Sequence, residues 1–343
     1  ALPISWRAGQ AYKPDPPTKH RKPQSESRKK MLPFIARKIF SGAFLLLVIS
    51  SLAYFLVFFS VDGVAYRLLG DAATAADVTA KNAELGLDRP FVVRYLDWLW
   101  NALNLDFGVS WFTNEPIMDG LASRLPITIT LVAIAILISA LLAVLLGMTA
   151  AIKGGWVDKA VQFLAITGFA VPGFVIAVIS VTIFAINLML LPATGWVPIE
   201  ENPGLWAASL VLPVFSLVIA TVASSAQQIR SAIKNVLERD WVKTLRSRGI
   251  PEREILFKHV LRAAAPAGLT VLSLQFVGML GGSVIVESIF ALPGIGSYAV
   301  TATAGGDTPV VMGVVVFTVL VVIFVNLIVD LINGWLNPKV RVK

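Results

Sequence analysis

Six long apolar stretches restrict the folds open to this chain more than any other feature of its sequence. They cover residues 40–59, 127–152, 161–190, 205–223, 267–290 and 310–331. An α-helix rises 1.5 Å per residue, so about 20 apolar residues cross roughly 30 Å of hydrocarbon, and every stretch is about that long or longer. Pro172 lies in the third stretch and Pro213 in the fourth, and we expect kinks there. The chain is therefore predicted to be an all-α integral membrane protein with six transmembrane helices.

The composition agrees with this class and excludes several kinds of site. Hydrophobic residues make up 56% of the 343 residues and charged residues only 15%, whereas soluble domains carry about 25% charged residues. The chain has no cysteine, which excludes disulfides, thiolate catalysis and cysteine-based metal sites. Its two histidines, His20 and His259, lie far apart in unlike contexts. We therefore predict no metal site.

The distribution of Lys and Arg predicts the orientation in the membrane. If the N-terminus is cytoplasmic, residues 1–39, 153–160, 224–266 and 332–343 lie inside and hold 24 of the 29 basic residues. Cytoplasmic loops carry such an excess of basic residues. Both termini are therefore predicted to be cytoplasmic, and the net charge of +8 is interpreted as topology, not as a sign of nucleic-acid binding.

The spans divide the chain into five segments. Residues 1–30 are predicted to be a disordered basic cytoplasmic tail, 31–60 the first transmembrane helix, 61–125 an external helical region, 126–338 a core with the other five spans, and 339–343 a cytoplasmic tail. In the external region, helices are expected over 73–85, ended by Gly86, and over 89–103. The second helix is predicted to lie on the outer membrane surface with its aromatic rings among the headgroups; direct contact with a substrate is the alternative.

A basic segment interrupts the apolar pattern before the fifth span. Nine Lys and Arg residues fall between Arg230 and Arg262. Asp240 is predicted to cap a short helix that Gly249 ends in a left-handed conformation. One side of this helix carries Trp241, Val242 and Leu245, and its polar neighbours are Lys243, Arg246 and Arg248.

A second short helix follows the glycine. Pro251 fits its first turn, Glu252 and Glu254 lie near its positive end, and Pro266 is expected to begin the next span. Its apolar stripe contains Ile255, Leu256, Val260 and Leu261. A rigid helix joined closely to a span can transmit the movement of a bound protein, and this hypothesis is weighed against an ordinary solvated surface helix.

The cytoplasmic segment resembles the signature of permease subunits of binding-protein-dependent ABC importers. That signature is Glu-Ala-Ala, three residues, Gly, nine residues, then Ile-x-Leu-Pro. Gly249 matches its glycine, Lys243-Thr244-Leu245 stands in place of Glu-Ala-Ala, and His259-Val260-Leu261-Arg262 in place of Ile-x-Leu-Pro. The run Asp-Trp-Val-Lys-Thr-Leu-Arg-Ser-Arg-Gly over 240–249 is similar to the version in the oligopeptide, dipeptide and nickel branch.

The resemblance extends over about residues 31–338 and is closest to the B-type permease subunit. Its motifs are Gly86-Leu87-Asp88-Arg89-Pro90, Asp106-Phe107-Gly108, Arg124-Leu125-Pro126, Glu287, Phe290, Pro293-Gly294-Ile295-Gly296 and Asp307-Thr308-Pro309. Gly306 stands where the family commonly has an arginine, so an ion pair is not expected at that position.

The resemblance implies a type I importer permease fold in the bacterial inner membrane. Implied partners are a homologous second permease subunit, two cytoplasmic ATPase subunits or domains, and an external substrate-binding protein. The chain has no GxxxxGK[ST] motif, so ATP and Mg²⁺ are expected on the ATPase, with no cofactor and no catalytic residue here. Peptides are the implied cargo; nickel, glutathione and oligosaccharides are alternatives. The implied coupling residues are Asp240, Trp241, Lys243, Thr244, Arg246, Arg248, Gly249, Glu252, His259 and Arg262.

Polar residues within the spans are candidates for the translocation pathway because they are expensive in hydrocarbon. Counting from Pro266, Gln275 is about 14 Å deep and Glu287 about 31 Å away, at the outer boundary. An interhelical hydrogen bond is the favoured role of Gln275, and Glu287 is a candidate for a gate or for contact with the binding protein. The candidate path and gate residues are Gln275, Glu287, Phe290, Pro293, Gly294, Gly296 and Asp307.

Other small and polar residues are predicted to serve helix packing. Asn326 and Asp330 share one helix face, and glycines at 278, 281 and 282 allow close helix approach, with packing against the second permease preferred. Two other functions are weighed. A proton-coupled secondary transporter would use Glu287 and Asp330, although both lie at span ends and not at the midplane. A membrane anchor that recruits a cytoplasmic protein would use only the basic segment.

Overall fold

A computed structural model describes residues 25–59 and 63–336, and most of the backbone there is helical. The helices are α1 (Ser25–Phe58), α2 (Val64–Leu69), α3 (Ala75–Glu84), α4 (Phe91–Leu103), α5 (Ile117–Lys153), α6 (Gly155–Ala170), α7 (Gly173–Ser180), α8 (Pro203–Leu237), α9 (Asp240–Ser247), α10 (Glu252–Glu254), α11 (Leu261–Ile289), α12 (Ile295–Gly305) and α13 (Thr308–Leu336). Two π-helical segments, Val181–Asn187 and Ile255–Val260, continue α7 and α10. The predicted all-α class is confirmed.

Five helices are long and apolar enough to cross a membrane, and a bent pair of helices makes six if the pair is counted as one span. The five are Ala36–Phe58, Ile117–Lys153, Pro203–Leu237, Glu252–Ile289 and Thr308–Leu336. The pair consists of Gly155–Gly168 and Gly173–Asn187, which meet at 88°. The six predicted spans therefore correspond to five continuous helices and one broken one.

The break in the third span is larger than the predicted kink at Pro172. Val171 is extended, with φ −92° and ψ 118°, and Pro172 caps the next helix. Proline lacks an N–H and disfavours the helical conformation of the preceding residue. In contrast, α8 continues through Pro213 as one helix.

Two helices are longer than the apolar stretches seen in the sequence. The 37 residues of α5 span about 55 Å, and this helix begins at Ile117, within the predicted external region. The fourth span was expected to end at residue 223, but α8 runs to Leu237. Its apolar face continues there with Ile229, Ile233 and Val236 at helical spacing, all buried.

The N-terminal prediction is partly corrected. α1 begins at Ser25, so the last six residues of the predicted disordered tail are helical. Those residues include Glu, Arg and Lys, which have high helix propensity. The rest of that tail, residues 1–24, and residues 337–343 at the other end lie outside the described residues.

The centre of the bundle is formed by α5, α8 and α11. Leu131, Leu217 and Phe276, one from each helix, are buried in a single apolar cluster. Lower down, Gly147 of α5 lies so close to α8 that a Cβ would be 2.8 Å from the Ala226 carbonyl oxygen. α1 lies at the edge, packed on α13 and on α4. The bundle therefore has a tight core and a peripheral first span.

The external region contains the two predicted helices. A capping box between Thr74 and Asp77 begins α3, and Gly86 follows its end with φ 67°. α4 packs its aromatic rings against α1, with Tyr54 at 5.4 Å from Tyr95 and 5.7 Å from Trp98 between ring centroids. The opposite side of α4 is exposed, including Leu96, Trp100 and Leu103.

Candidate functional site

The first cytoplasmic helix, α9, begins differently from the prediction. Its N-cap is Arg239, which is extended and makes no side-chain cap. Asp240 is the first helical residue; its side chain is 97% exposed and bonded to Lys243 Nζ at 2.9 Å. The predicted Asp240 cap is therefore wrong, because the chain enters the helical conformation one residue earlier. A carboxylate in the first turn still complements the positive end of the helix.

Gly249 ends α9 as predicted. Its φ is 74°, in the left-handed region. Its N–H donates to the Arg246 carbonyl at 2.9 Å, and the Ile250 N–H donates to the Leu245 carbonyl at 3.3 Å. These two bonds form a Schellman motif. The turn is therefore a defined structure, closed by main-chain hydrogen bonds.

The second cytoplasmic helix is continuous with the fifth span. Pro251 is the N-cap with φ −60° and ψ 140°, one position before the predicted first turn. From Glu252 the backbone remains helical through the π segment to Ile289. Pro266 lies inside α11, so the prediction that it begins the span is wrong; a proline removes one helical hydrogen bond, and the neighbouring turns continue the helix.

The two cytoplasmic helices are fixed to the bundle by a common apolar cluster. Val242 of α9, Ile255 and Val260 of the π segment are fully buried, together with Ile233 of α8. Burying each such side chain contributes about 1.5–3 kcal/mol. Because Val242 lies in the same buried cluster as Ile255 and Val260, α9 packs against the segment that leads into the fifth span, and the two form one packed unit.

The predicted coupling residues mostly lie on the exposed side of this unit. Trp241 is 38% exposed although it is a large aromatic residue. Those with exposed side chains are Asp240, Trp241, Lys243, Thr244, Arg246, Arg248, Glu252 and Arg262, whereas His259 is half-buried. Arg246 and Glu252 form a bidentate ion pair, with Nε 2.6 Å from Oε1 and an Nη atom 3.3 Å from Oε2. This pair bridges the Gly249 turn and was not predicted.

A second ionic cluster at the cytoplasmic end was also missed. Asp158, at the start of α6, accepts two hydrogen bonds from Arg230 and one of 3.1 Å from Lys234, both on α8. The Asp158 and Arg230 side chains are largely buried. The signal in the sequence was a single acidic residue, Asp158, in a short basic loop, together with the basic residues Arg230 and Lys234 near the end of the next long helix.

Replacing Asp158 with alanine is expected to destabilise the protein. The change leaves the largely buried Arg230 without its carboxylate, at a cost on the order of 2–3 kcal/mol. Glu84→Gln is the control, because Glu84 is exposed and pairs only with Lys81, so its effect should stay below about 1 kcal/mol. Thermal unfolding in detergent measures both; equal midpoints for the two variants would contradict a structural role of the cluster.

Glu287 lies at the other end of the fifth span and is fully buried, 0% exposed. Its Oε1 accepts a 2.7 Å hydrogen bond from the Thr128 hydroxyl, and its Oε2 accepts a 3.0 Å bond from the Ser297 N–H. Thr128 also accepts a bond from the Ile295 N–H at 2.9 Å. The carboxylate therefore joins α5, α11 and the start of α12, and in this conformation it is not available to an external protein.

The glycines of the Pro-Gly-x-Gly motif allow the chain to fold tightly over Glu287. A Cβ on Gly294 would lie 2.5 Å from Glu287 Oε2, and one on Gly296 would lie 2.6 Å from the Val284 Cα. Phe290 is buried beside the motif, and Pro293 is exposed. The predicted gate residues of this segment thus surround one buried carboxylate.

Asp307 anchors the external region to α13. It is buried and accepts a 2.6 Å hydrogen bond from the Ser110 hydroxyl. Gly306 has φ 79°, and an Nη atom of Arg67 would lie 2.6 Å from a Cβ at that position. Arg67 of α2 therefore lies over Gly306, the position at which the family that this chain resembles commonly has an arginine.

Tyr298 belongs to the same external layer. The Arg124 guanidinium lies over its ring at 4.2 Å from the centroid. Burial raises the pKa of the Tyr298 hydroxyl above its ordinary value, and the nearby Glu115 carboxylate adds to the increase.

The remaining polar residues of the spans make contacts between helices. Gln275 donates to the Ser224 hydroxyl at 2.9 Å, which is the interhelical bond favoured by the sequence. Asn326 is bonded to Ser273, and Asp330 pairs with Lys38 at 2.6 Å. The packing role predicted for both is confirmed. A Cβ on Gly278 or Gly281 would meet no atom of residues 25–59 and 63–336 within 4 Å, apart from the neighbouring residues of its own helix.

The comparisons with known proteins agree with this architecture. The binding-protein-dependent transport system inner membrane component family matches residues 143–342, and the N-terminal family of the same components matches residues 31–132. A putative peptide transport system permease protein of Brucella abortus (strain 2308) is 34% identical over 312 residues, or 91% of this chain and 99% of that protein. A probable peptide ABC transporter permease protein of Sinorhizobium fredii is 32% identical over 309 residues, or 90% and 99%.

A glutathione transport system permease protein of Salmonella typhi is 30% identical over 314 residues, or 91% of this chain and all of that protein. The alignments thus cover both the external region and the core. Such permeases work with an ATPase and a binding protein. The chain belongs to the binding-protein-dependent transport system inner membrane component family and is a multi-pass membrane permease subunit of a bacterial ABC importer.

Proposed function

We propose that this permease imports peptides delivered by an external binding protein. It would form half of the pathway with a homologous second permease, driven by two cytoplasmic ATPase subunits or domains. Two of the similar proteins described above are named for peptide transport, and the third for glutathione, itself a short peptide. Peptide cargo is therefore the most economical assignment, ahead of nickel or oligosaccharides.

The ATPase would bind the exposed side of α9. The observation that carries this proposal is the combination of a buried apolar side and an exposed charged side on one rigid helix. Val242 fixes α9 to the bundle, while Trp241 and Lys243 remain exposed. The helical backbone from Glu252 leads directly into the fifth span. Movement of the ATPase would thus be transmitted to α11.

The second permease would pack against the exposed side of α11. Glycines 278 and 281 offer a surface without side chains, where helices can approach closely. Leu274, Val277 and Ile285 are exposed on the same helix. The pathway would lie beside this contact, with Gln275 near the midplane and the Glu287 segment as its external gate.

The alternative functions fit the geometry less well. A proton relay requires carboxylates that exchange protons across the membrane, whereas Glu287 is enclosed by hydrogen bonds and Asp330 is paired with Lys38. A simple membrane anchor would need only the cytoplasmic unit. It would leave the buried Glu287 network at the opposite end of the same helix without a role.

Reconstitution tests the proposal. The permease, its partner permease, the ATPase and the binding protein are placed in proteoliposomes, and uptake of a labelled peptide is measured with and without ATP. We expect uptake only with ATP and the binding protein. Uptake by this chain alone, driven by a pH gradient, would overturn the assignment.

The same assay tests the cytoplasmic turn. Arg246→Glu places two carboxylates together at the pair with Glu252, which should open the Gly249 turn and reduce ATP-driven uptake about tenfold, equivalent to about 1.4 kcal/mol in coupling. The matched control is the double variant Arg246→Glu/Glu252→Arg, which restores an ion pair and should recover uptake. Normal uptake by the single variant would refute the role of this turn in coupling.

A further inference from the structure

Phe257 is an exposed aromatic residue on the second cytoplasmic helix, outside the set of coupling residues that the sequence indicated. It lies in the π segment Ile255–Val260 and is 61% exposed. Its neighbours Ile255, Leu256 and Val260 are buried against the rest of the protein. Phe257 therefore lies on the opposite side of a segment that its own neighbours hold in place.

The position of Phe257 along its helix places the ring beyond the lipid headgroups. The helical backbone is continuous from Glu252 to Ile289, and the apolar stretch of the fifth span begins at residue 267. At 1.5 Å per residue, Phe257 lies about 15 Å from that point. The headgroup region is only about 5–8 Å thick on each side of the hydrocarbon. The exposed ring is therefore in the cytoplasm, where contact with another protein can cover it.

The surface around Phe257 has an excess of positive charge. Residues 239–262 hold seven bases and three acids. The three acids pair with Lys243, Arg246 and Lys258. The other four bases are arginines with exposed side chains, at positions 239, 248, 253 and 262. Arg253 lies one helical turn before Phe257, so a protein that covers the ring also meets this guanidinium.

The chain's own termini do not suit this surface, because they are basic too. Residues 1–24 hold five Lys and Arg and one acid, and residues 337–343 hold three bases and no acid. Like charges repel one another. The charge of the surface is therefore complementary to an acidic region of another protein.

The residue types on this surface are those that supply most of the binding energy at protein interfaces. Trp and Arg are enriched among such residues, and aromatic residues are enriched at interfaces in general. Trp241 of α9 is also exposed, at 38%, and α9 packs against the π segment that carries Phe257. The two aromatic residues thus belong to one packed cytoplasmic unit.

We propose that Phe257 and Arg253 form a second contact with the cytoplasmic ATPase. The ring enters an apolar pocket of the ATPase, and the guanidinium pairs with a carboxylate at the rim of that pocket. This contact presupposes the proposed ATPase binding at α9 and adds a second helix to it. Lys243 stands where the family signature has a glutamate, so the ATPase that fits this chain presents an acidic groove. Because the helix of Phe257 continues into the fifth span, force applied here reaches α11 directly.

Affinity measurements test the contact. The two permeases are placed in nanodiscs and titrated with the purified ATPase. Phe257→Ala and Arg253→Glu should each weaken binding at least about tenfold. Phe163→Ala removes an equally exposed ring from the third span, and Lys159→Glu makes the same kind of charge reversal on the turn between α5 and α6; both should bind like the wild type. Wild-type affinity of Phe257→Ala would overturn the proposal.

Single cysteines map the contact directly, because the chain has none of its own. Glu254→Cys lies three positions before Phe257, Thr244→Cys lies on α9, and Lys159→Cys is the control outside the unit. In nanodiscs, a membrane-impermeant maleimide should label all three without the ATPase. With the ATPase, the first two should be protected at least fivefold and the control not at all.

The labelling pattern separates this contact from the ATPase binding on which it rests. Protection of Thr244→Cys alone would leave the ATPase on α9 and overturn only the second contact. Protection at neither position would overturn ATPase binding at this unit as a whole. If Glu254→Cys is not labelled even without the ATPase, lipid or the chain's own termini cover this surface, and the second contact is overturned as well.

Discussion

Replacing Glu287 with alanine is expected to abolish transport and to lower the free energy of unfolding by about 3–5 kcal/mol. The carboxylate is fully buried and accepts bonds from the Thr128 hydroxyl and the Ser297 N–H. Without it, both donors remain buried with no acceptor, and a cavity opens beneath the turn. The segment from Phe290 to Ser297 would then lose its fixed position over the external end of the bundle.

Two further variants make this result specific. Glu287→Gln keeps the size and one acceptor oxygen, so it should retain part of both stability and transport. Ser288→Ala changes the next residue, which is exposed and bonds only to the Val284 carbonyl of its own helix, and should behave like the wild type. Thermal unfolding and peptide uptake are measured together. A stable, active alanine variant would show that the carboxylate is dispensable.

Local features of the cytoplasmic unit could be predicted from the sequence because they depend on neighbouring residues. Gly249 adopts the left-handed conformation that its position after a short helix indicated. The long extension of α8 was also accessible, since Ile229, Ile233 and Val236 repeat at helical spacing. The basic residues among them suggested a loop, but they lie on the polar side of the same helix. Because of these charged residues, the fourth apolar stretch was taken to end before the helix α8 does.

Contacts between distant segments could not be predicted. Asp158 and Arg230 are 72 positions apart, and the sequence around each residue does not identify the other as its partner. Depth counting placed Glu287 correctly at the outer end of its helix, but burial depends on the chain turning back over it. The close spacing of Gly294 and Gly296 was the available signal, because such glycines permit close backbone approach.

Replacing Gly249 with proline is expected to reduce ATP-driven uptake at least tenfold, a loss of about 1.4 kcal/mol or more in coupling. Proline holds φ near −65°, whereas Gly249 has φ 74°, and the change also removes the N–H that bonds the Arg246 carbonyl. The turn between α9 and the fifth span would open. Val242 would still hold α9 to the bundle, so the spans should insert normally and the ATPase should hydrolyse ATP without moving peptide.

Gly249→Asn is the matched control for this change. Among the residues that the structure describes, none has an atom within 4 Å of a Cβ at position 249, its two chain neighbours apart, so a side chain fits there. Asparagine adopts the left-handed conformation more readily than other residues with a side chain, and uptake should stay within about twofold of the wild type. Uptake and ATP hydrolysis are measured in the same proteoliposomes. If the asparagine variant loses as much uptake as the proline variant, backbone conformation is not what the glycine supplies. If the proline variant transports normally, α9 does not transmit the motion of the ATPase through this turn.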